Sequence, residues 1–378
     1  MDNMKLALFN FSTFISVSTI NSQLIPFLND QGYSPSDKGW ILGISALASI
    51  IFASVIGIKS DTSGKLKPSF IASTCLFVLT SCLSFLYSGA PWLMMGSIII
   101  MFGIVKEVMS INETWVFQIE PERFGKFHCF SALGLVSGSL LAGYLHEYYG
   151  AWALCILCII ASTLSLFLSF MIKDTDSKQK GSITLKSIKQ LFMNKQYALY
   201  LIILFLLMIS GFADSFVVVD KLIDAGGSRV IVSFKFAIQS MMEIPLYLFS
   251  VKLLKKIKPQ HLLIFASFMT GVKFTLYGLV STPILILVVA ALQIFTHPIL
   301  VLCSKVLIQE VTGKELAKTA QIVGFAIYFG LSGFITPVLG AYLVEQFDFN
   351  ITLYGFAALS LIPTLLSIYQ LKRYKNKV

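Results

Sequence analysis

Glu113, Asp214, Glu243 and Lys273 each stand inside a stretch of sequence that is otherwise apolar. A charge in hydrocarbon costs at least about 2.5–3.5 kcal/mol, so such groups face one another, a water-filled cavity or a bound solute. A carboxylate at such a place can also remove its own charge by taking up a proton. Glu243, Glu113 and Asp214 are therefore candidate proton acceptors. Glu243 and Lys273, in successive apolar stretches, are expected to form a buried ion pair, because each needs a partner at that depth. Asp214 either lines a cavity or pairs with Lys235 or Lys305. Asn21 and Gln23, just before Pro26, and Gln239 offer hydrogen bonds to a polar solute. Trp115 offers a ring on which a flat solute could stack. Each of these amides and rings has a plain alternative role in packing helices together.

The residue types exclude several other chemistries. No GxxxxGK[ST] loop is present, so no nucleotide is held by a P-loop. No His, Asp and Glu cluster has metal-ligand spacing, and neither metal, cofactor nor enzymatic activity is expected. The six cysteines lie inside or beside apolar segments. Cys155 and Cys158 have CxxC spacing but sit in WALCILCIIAS, so a structural role is expected.

The elements that must position these groups are long and apolar. The 378 residues are 56% hydrophobic and 13% charged, too little polar surface for a water-soluble domain of this size. Apolar segments of about 20 residues are long enough to cross a bilayer as helices. Twelve spans are expected, near residues 5–28, 39–58, 66–88, 91–117, 127–145, 150–172, 198–220, 230–251, 260–280, 283–308, 316–343 and 350–371. With both termini inside, the cytoplasmic segments hold 22 lysines and arginines and the outside loops hold three, Lys38, Lys221 and Arg229. That asymmetry sets orientation. It also accounts for the net charge of +10 without a nucleic-acid partner. The expected partners are the lipid bilayer, protons and a small solute, bound by a monomer. The N-terminus shows no cleavable signal pattern, so the first span is expected to be retained.

Lys173 to Lys195 carries six lysines and is the long polar interruption of the chain. It divides an N-terminal half, 1–172, from a C-terminal half, 198–378, through a linker over 173–197. The halves echo each other. Leu28-Asn-Asp30-Gln-Gly32 matches Leu222-Ile-Asp224-Ala-Gly226, and Tyr144-Leu-His-Glu147 matches Tyr342-Leu-Val-Glu345. Two six-helix halves of this kind suit a carrier that rocks about a central site.

Between the second and third spans runs Gly57-Ile-Lys-Ser-Asp61-Thr-Ser-Gly64-Lys65-Leu-Lys67. This pattern resembles the signature of the major facilitator superfamily. Gly64 permits a tight turn. Asp61 is expected to cap the next helix or pair with a cation, and breaking that contact would help open the cytoplasmic side. The matching stretch, Val251 to Pro259, keeps its lysines but lacks the Asp and Gly. Glu113, followed by Phe124-Gly-Lys126-Phe-His128, resembles the lactose permease and nucleoside–proton symporter branch. There a carboxylate in span 4 and an arginine in span 5 contact the solute. Here the arginine's place falls on His128, which can hydrogen-bond and titrate but cannot make a permanent bidentate clamp. Glu243-Ile-Pro245, then Val272-Lys273-Phe, resembles the MFS_1-like group that includes phenylpropionate-type permeases. The resemblance implies an all-helical two-repeat bundle, and the lysine-rich composition and short loops fit a bacterial cytoplasmic membrane. The resemblance also implies proton-coupled uptake of a small polar or aromatic organic solute. Proton-antiport export, and a receptor or assembly role on the same fold, are the alternatives. Span 5 has glycines but lacks the proline of the exporters' extra motif.

Overall fold

The computed structural model describes residues 2–86, 91–174 and 185–375, and among these the regular structure is helical. The N-terminal half contains α1 (Asp2–Asp30), α2 (Pro35–Ser63), α3 (Lys67–Leu86), α4 (Pro91–Ile119), α5 (Phe124–Tyr149) and α6 (Ala151–Met171). The linker contributes a short amphipathic helix, α7 (Leu185–Met193), which packs on the C-terminal half. That half contains α8 (Lys195–Asp224), α9 (Arg229–Lys256), α10 (Pro259–Leu279) and α11 (Pro283–Ala290), then α12 (His297–Phe325), α13 (Ser332–Gln346), α14 (Phe349–Leu359) and α15 (Leu361–Lys375).

Ten stretches among the described residues are helical, long and apolar enough to cross a membrane. The long helices that fall short of that measure are α1 and α9. The expected count of twelve included both. The reason is composition: α1 is rich in Ser, Thr, Asn and Gln, and α9 carries Lys235, Gln239 and Glu243. Both helices pack against α5 inside the bundle.

The C-terminal half is more broken than its sequence suggests. Ala291–Phe295 is a 3₁₀ turn between α11 and α12, before Pro298. Gly313, at φ +72°, interrupts α12, and Ala326–Leu331 is a π-helical turn leading into α13.

Helix starts show the repeat at atomic detail. Gly32 and Gly226 take positive φ, +76° and +87°, a conformation that favours glycine. Two residues later Ser34 caps α2 and Ser228 caps α9, each satisfying an amide that the helix leaves unpaired. Gly64 ends α2 at φ +73°, its N–H reaching the Ser60 carbonyl at 2.8 Å, as a left-handed cap requires. The expected Asp61 cap is supplied from elsewhere. The amides of Leu66 and Lys67, opening α3, donate to Asp174 Oδ1 at 3.1 and 3.0 Å. Asp174 follows α6, which packs beside α3. The Asp61 side chain lies outside the described residues. Gly57 and Lys65 are exposed.

Candidate solute site between the halves

The halves meet along two seams, α5 against α9 and α2 against α13. Their polar contacts gather at the end that carries the loops after α1 and α8. Arg229 clasps Asp30 there, Nη2 to Oδ1 at 2.6 Å and Nε to Oδ2 at 3.0 Å. Lys38 reaches Asp220 at 2.6 Å. The repeated glutamates take matching roles. Glu147 accepts the Arg229 amide at 3.0 Å, and Glu345 accepts the Ser36 amide at 2.9 Å. Each glutamate thus meets the N-terminus of a helix in the opposite half, where the helix dipole favours negative charge.

Gln23 belongs to this clasp. Its Nε2 donates to Ser233 Oγ at 2.8 Å and to the Arg229 carbonyl at 3.3 Å. Its Oε1 lies 2.8 Å from His146 Nδ1, whose other ring nitrogen is 3.0 Å from Asp30. In this conformation Gln23 holds the halves together and has no polar group left for a solute. Partial burial pushes the Asp30 carboxyl up, but bonds from His146 and Arg229, with Arg229's charge, leave it net below 3.8. Asp30 therefore supports the clasp fully above its unfolded value, and that support is lost only as pH falls through the lower folded one.

Close approach at this end depends on glycine. A Cβ at Gly143 would stand 2.9 Å from the Arg229 carbonyl and collide with the Ser233 side chain. Leucine at 143 is expected to cost about 1–3 kcal/mol in the closed form by overpacking. Gly143→Leu should therefore leave this end open. The check is a membrane-impermeant thiol reagent on Ser228→Cys, which should label faster in the leucine variant.

Deeper in the seam a chain of polar side chains runs through the C-terminal half. Lys235, Gln239, Glu243 and Tyr247 are four residues apart along α9 and so share one face. Asp214 of α8 takes Lys273 of α10 at 2.6 Å and Lys235 at 3.1 Å. Gln239 donates to the same carboxylate at 2.7 Å. Lys273 also donates to Gln293 at 2.6 Å, and Gln293 donates on to Glu243 at 3.1 Å. The expected Glu243–Lys273 pair is thus not direct. Asp214 takes the ammonium, and Gln293, set by the 3₁₀ turn, stands between the two. Of the alternatives open for Asp214, Lys235 is the partner, joined by Lys273.

Glu243 pairs instead with His297, Nδ1 to Oε1 at 3.2 Å. From there the chain crosses to the other half. The Tyr247 hydroxyl lies 3.5 Å from Glu243, and its ring meets His128 edge-on at 4.7 Å. His128 in turn is 3.7 Å from Glu113. Exposure falls along this path. The Glu113 and His297 side chains are 32% and 34% exposed, Glu243 18%, Lys273 2% and Lys235 0%. Glu113 and Glu243 are therefore less buried than Asp214, whose side chain is 7% exposed.

One expected contact falls elsewhere. Trp115 is fully buried in the N-terminal half, edge-on to Phe9 and Phe70, with its indole N–H on the Lys173 carbonyl. Its position on α4 turns it towards α1 and α3, away from the seam. Asn21 is half-buried on α1. Residues to which sequence reasoning gave no role are Tyr247, His146 and Lys106. The four-residue rhythm of α9 was the available signal for Tyr247.

A family profile, the MFS_1 like family, matches residues 3–354. The chain belongs to that family. The search among curated proteins returns no match. Among solved structures, the fold is similar to that of a point mutant of nucleoside transporter NupG. The TM-score is 0.86 at 13% identity, covering 98% of this chain and 99% of that one. NupG without that mutation gives 0.81 at 14% identity, with 98% of each chain covered. A POT family transporter in complex with 5-aminolevulinic acid gives 0.75 at 11% identity, over 97% and 95%. This family member therefore has the major facilitator fold, with ten helices among its described residues long and apolar enough to cross a membrane.

Proposed function

We propose that this transporter carries a small polar or aromatic organic solute into the cell together with a proton, by alternating access. Twelve helices span the membrane, α1 and α9 among them, with both termini cytoplasmic. The chain acts as a monomer in a bacterial cytoplasmic membrane. The observation that carries this reading is the path from Glu243 through Tyr247 to His128 and Glu113, which joins a partly exposed carboxylate in each half across the seam. A carboxylate that must lose its charge before the seam can reclose is a coupling device. The clasp at the opposite end supports it, since ion pairs hold the halves together there while these acids stay partly exposed. Protonation and solute binding together remove the penalty for exposing the site to the other side. Glu243 is the proton acceptor, with Glu113 its counterpart, and Asp214 holds the lysines. His128, Gln239 and Lys273 are the polar groups offered to the solute.

The test is proton movement in cells that express the protein, on adding nucleosides, oligosaccharides and aromatic acids in turn. External alkalinisation with one of them is the expected result and names the solute class. Acidification with a solute leaving the cell would replace this reading with antiport export. Silence with every solute, in cells where folded protein is confirmed, would favour a receptor or assembly role.

A further inference from the structure

Lys38, Lys221, Lys235 and Lys273 are buried, and each reaches an oxygen. Lys38 has Asp220 and Asn29, Lys221 has the Tyr277 carbonyl and Asn350, and Lys235 and Lys273 share Asp214. Lys106 departs from the pattern. It lies half-buried on α4, and among the described residues no oxygen is within hydrogen-bond or ion-pair reach of its ammonium. Three phenylalanine faces surround it instead. Phe102 of α4 is at 5.0 Å, and Phe212 of α8 and Phe329 of the π-helical turn are each at 5.5 Å.

Ring faces attract a cation, but they carry no net charge, so among the described residues Lys106 has no counter-charge in reach. The rings also line one wall here, with Phe212 edge-on to Phe329 at 4.9 Å and 64°. Phe325 stacks on Phe329 at 4.6 Å and 12°, and Phe212 lies parallel to Phe216 at 6.2 Å and 15°. The turn Ala326–Leu331 presents Phe329 to this wall, and π-helical turns recur at functional sites. Lys106 and Glu113 are seven residues apart on one face of α4, a rise of about 10 Å. The cation and the N-terminal carboxylate of the coupling path thus stand at two levels of α4.

We propose that the solute is an organic anion with a planar apolar body, whose carboxylate pairs with Lys106 while its ring packs on Phe212 and Phe329. This rests on the transport reading above and narrows its substrate class. The carboxylate supplies the counter-charge that the described residues do not, and a charge-assisted bond in so apolar a setting is a strong one. Neutral solutes of the same shape leave the cation unpaired.

Binding to the purified protein tests this directly, with phenylacetate, indole-3-acetate and 4-hydroxybenzoate each set against its primary amide. The acids should bind about tenfold tighter or better than the amides. Lys106→Gln should abolish the preference and Lys106→Arg should keep it. A second measurement does not depend on finding the right acid. With the native cysteines replaced and Ser110→Cys introduced one turn along α4, two thiol reagents are compared. The ratio of labelling by 2-sulfonatoethyl over 2-trimethylammonioethyl methanethiosulfonate should fall about tenfold when Lys106→Gln is added. An acid preference that survives Lys106→Gln, binding of amides as tight as that of acids, or an unmoved labelling ratio would overturn the proposal. Neither measurement involves proton movement, so each reading can fail while the other stands.

Discussion

Asp214→Ala is expected to destabilise the protein by about 3–5 kcal/mol, the cost of removing one partner from a buried ion group. The carboxylate is shared by two ammonium groups, and the Lys235 and Lys273 side chains are 0% and 2% exposed. Without it, two positive charges remain in a low-dielectric interior. Gln239 also loses its acceptor. Lys273 is already joined to Glu243 through Gln293, so the remaining compensation draws Glu243 away from His297. Thermal unfolding in detergent reads the loss of stability. Asp214→Glu, which keeps the charge, should recover most of it. A fully stable alanine variant would mean that both lysines lose their charge, or are reached by water, in the folded protein.

Glu243→Gln is expected to separate solute movement from proton movement. Glutamine imitates the protonated acid and can keep hydrogen bonds to Gln293 and His297. The ionised carboxylate holds the seam out of its reclosed form by about 2.5–3.5 kcal/mol, a factor of about 100 in population. Glutamine removes that barrier. Exchange of labelled for unlabelled solute should continue, whereas concentrative uptake and solute-induced alkalinisation should drop to background. Coupled uptake at the parent level in this variant would remove Glu243 from the mechanism and move the coupling to Glu113. The same experiment on Glu113→Gln shows how the two halves divide the task.

The sequence alone determined the class of protein and suggested its division into halves. Apolar runs about as long as a bilayer is thick admit few alternatives, because backbone polar groups in lipid must pair within a helix. Basic residues crowded into alternate loops set an expected orientation. The repeated Asp-x-Gly and Tyr-Leu-x-Glu segments marked the same points in each half. Those segments became the glycine turns and the two glutamates that clasp opposite helices. The intramembrane charges were legible one by one, since each stands out against an apolar background.

Which charge meets which was decided by tertiary structure. Glu243 and Lys273 are neighbours in the order of helices, but Asp214 lies nearer Lys273, and a 3₁₀ turn sets Gln293 between them. Spacing along one helix says nothing about the rotation of the next. Gln23 and Trp115 show the same limit. Residue type suggested solute contacts, while helix rotation put one in the clasp and the other among Phe9 and Phe70. Lys106 is the reverse case. Phe102 lies one turn before it on the same helix, but the sequence gives no sign that Phe212 and Phe329 converge on it as well, because that convergence needs both halves and a π-helical turn more than 200 residues away. Local pattern fixes what a residue can do, and packing between helices selects which of those possibilities has a partner.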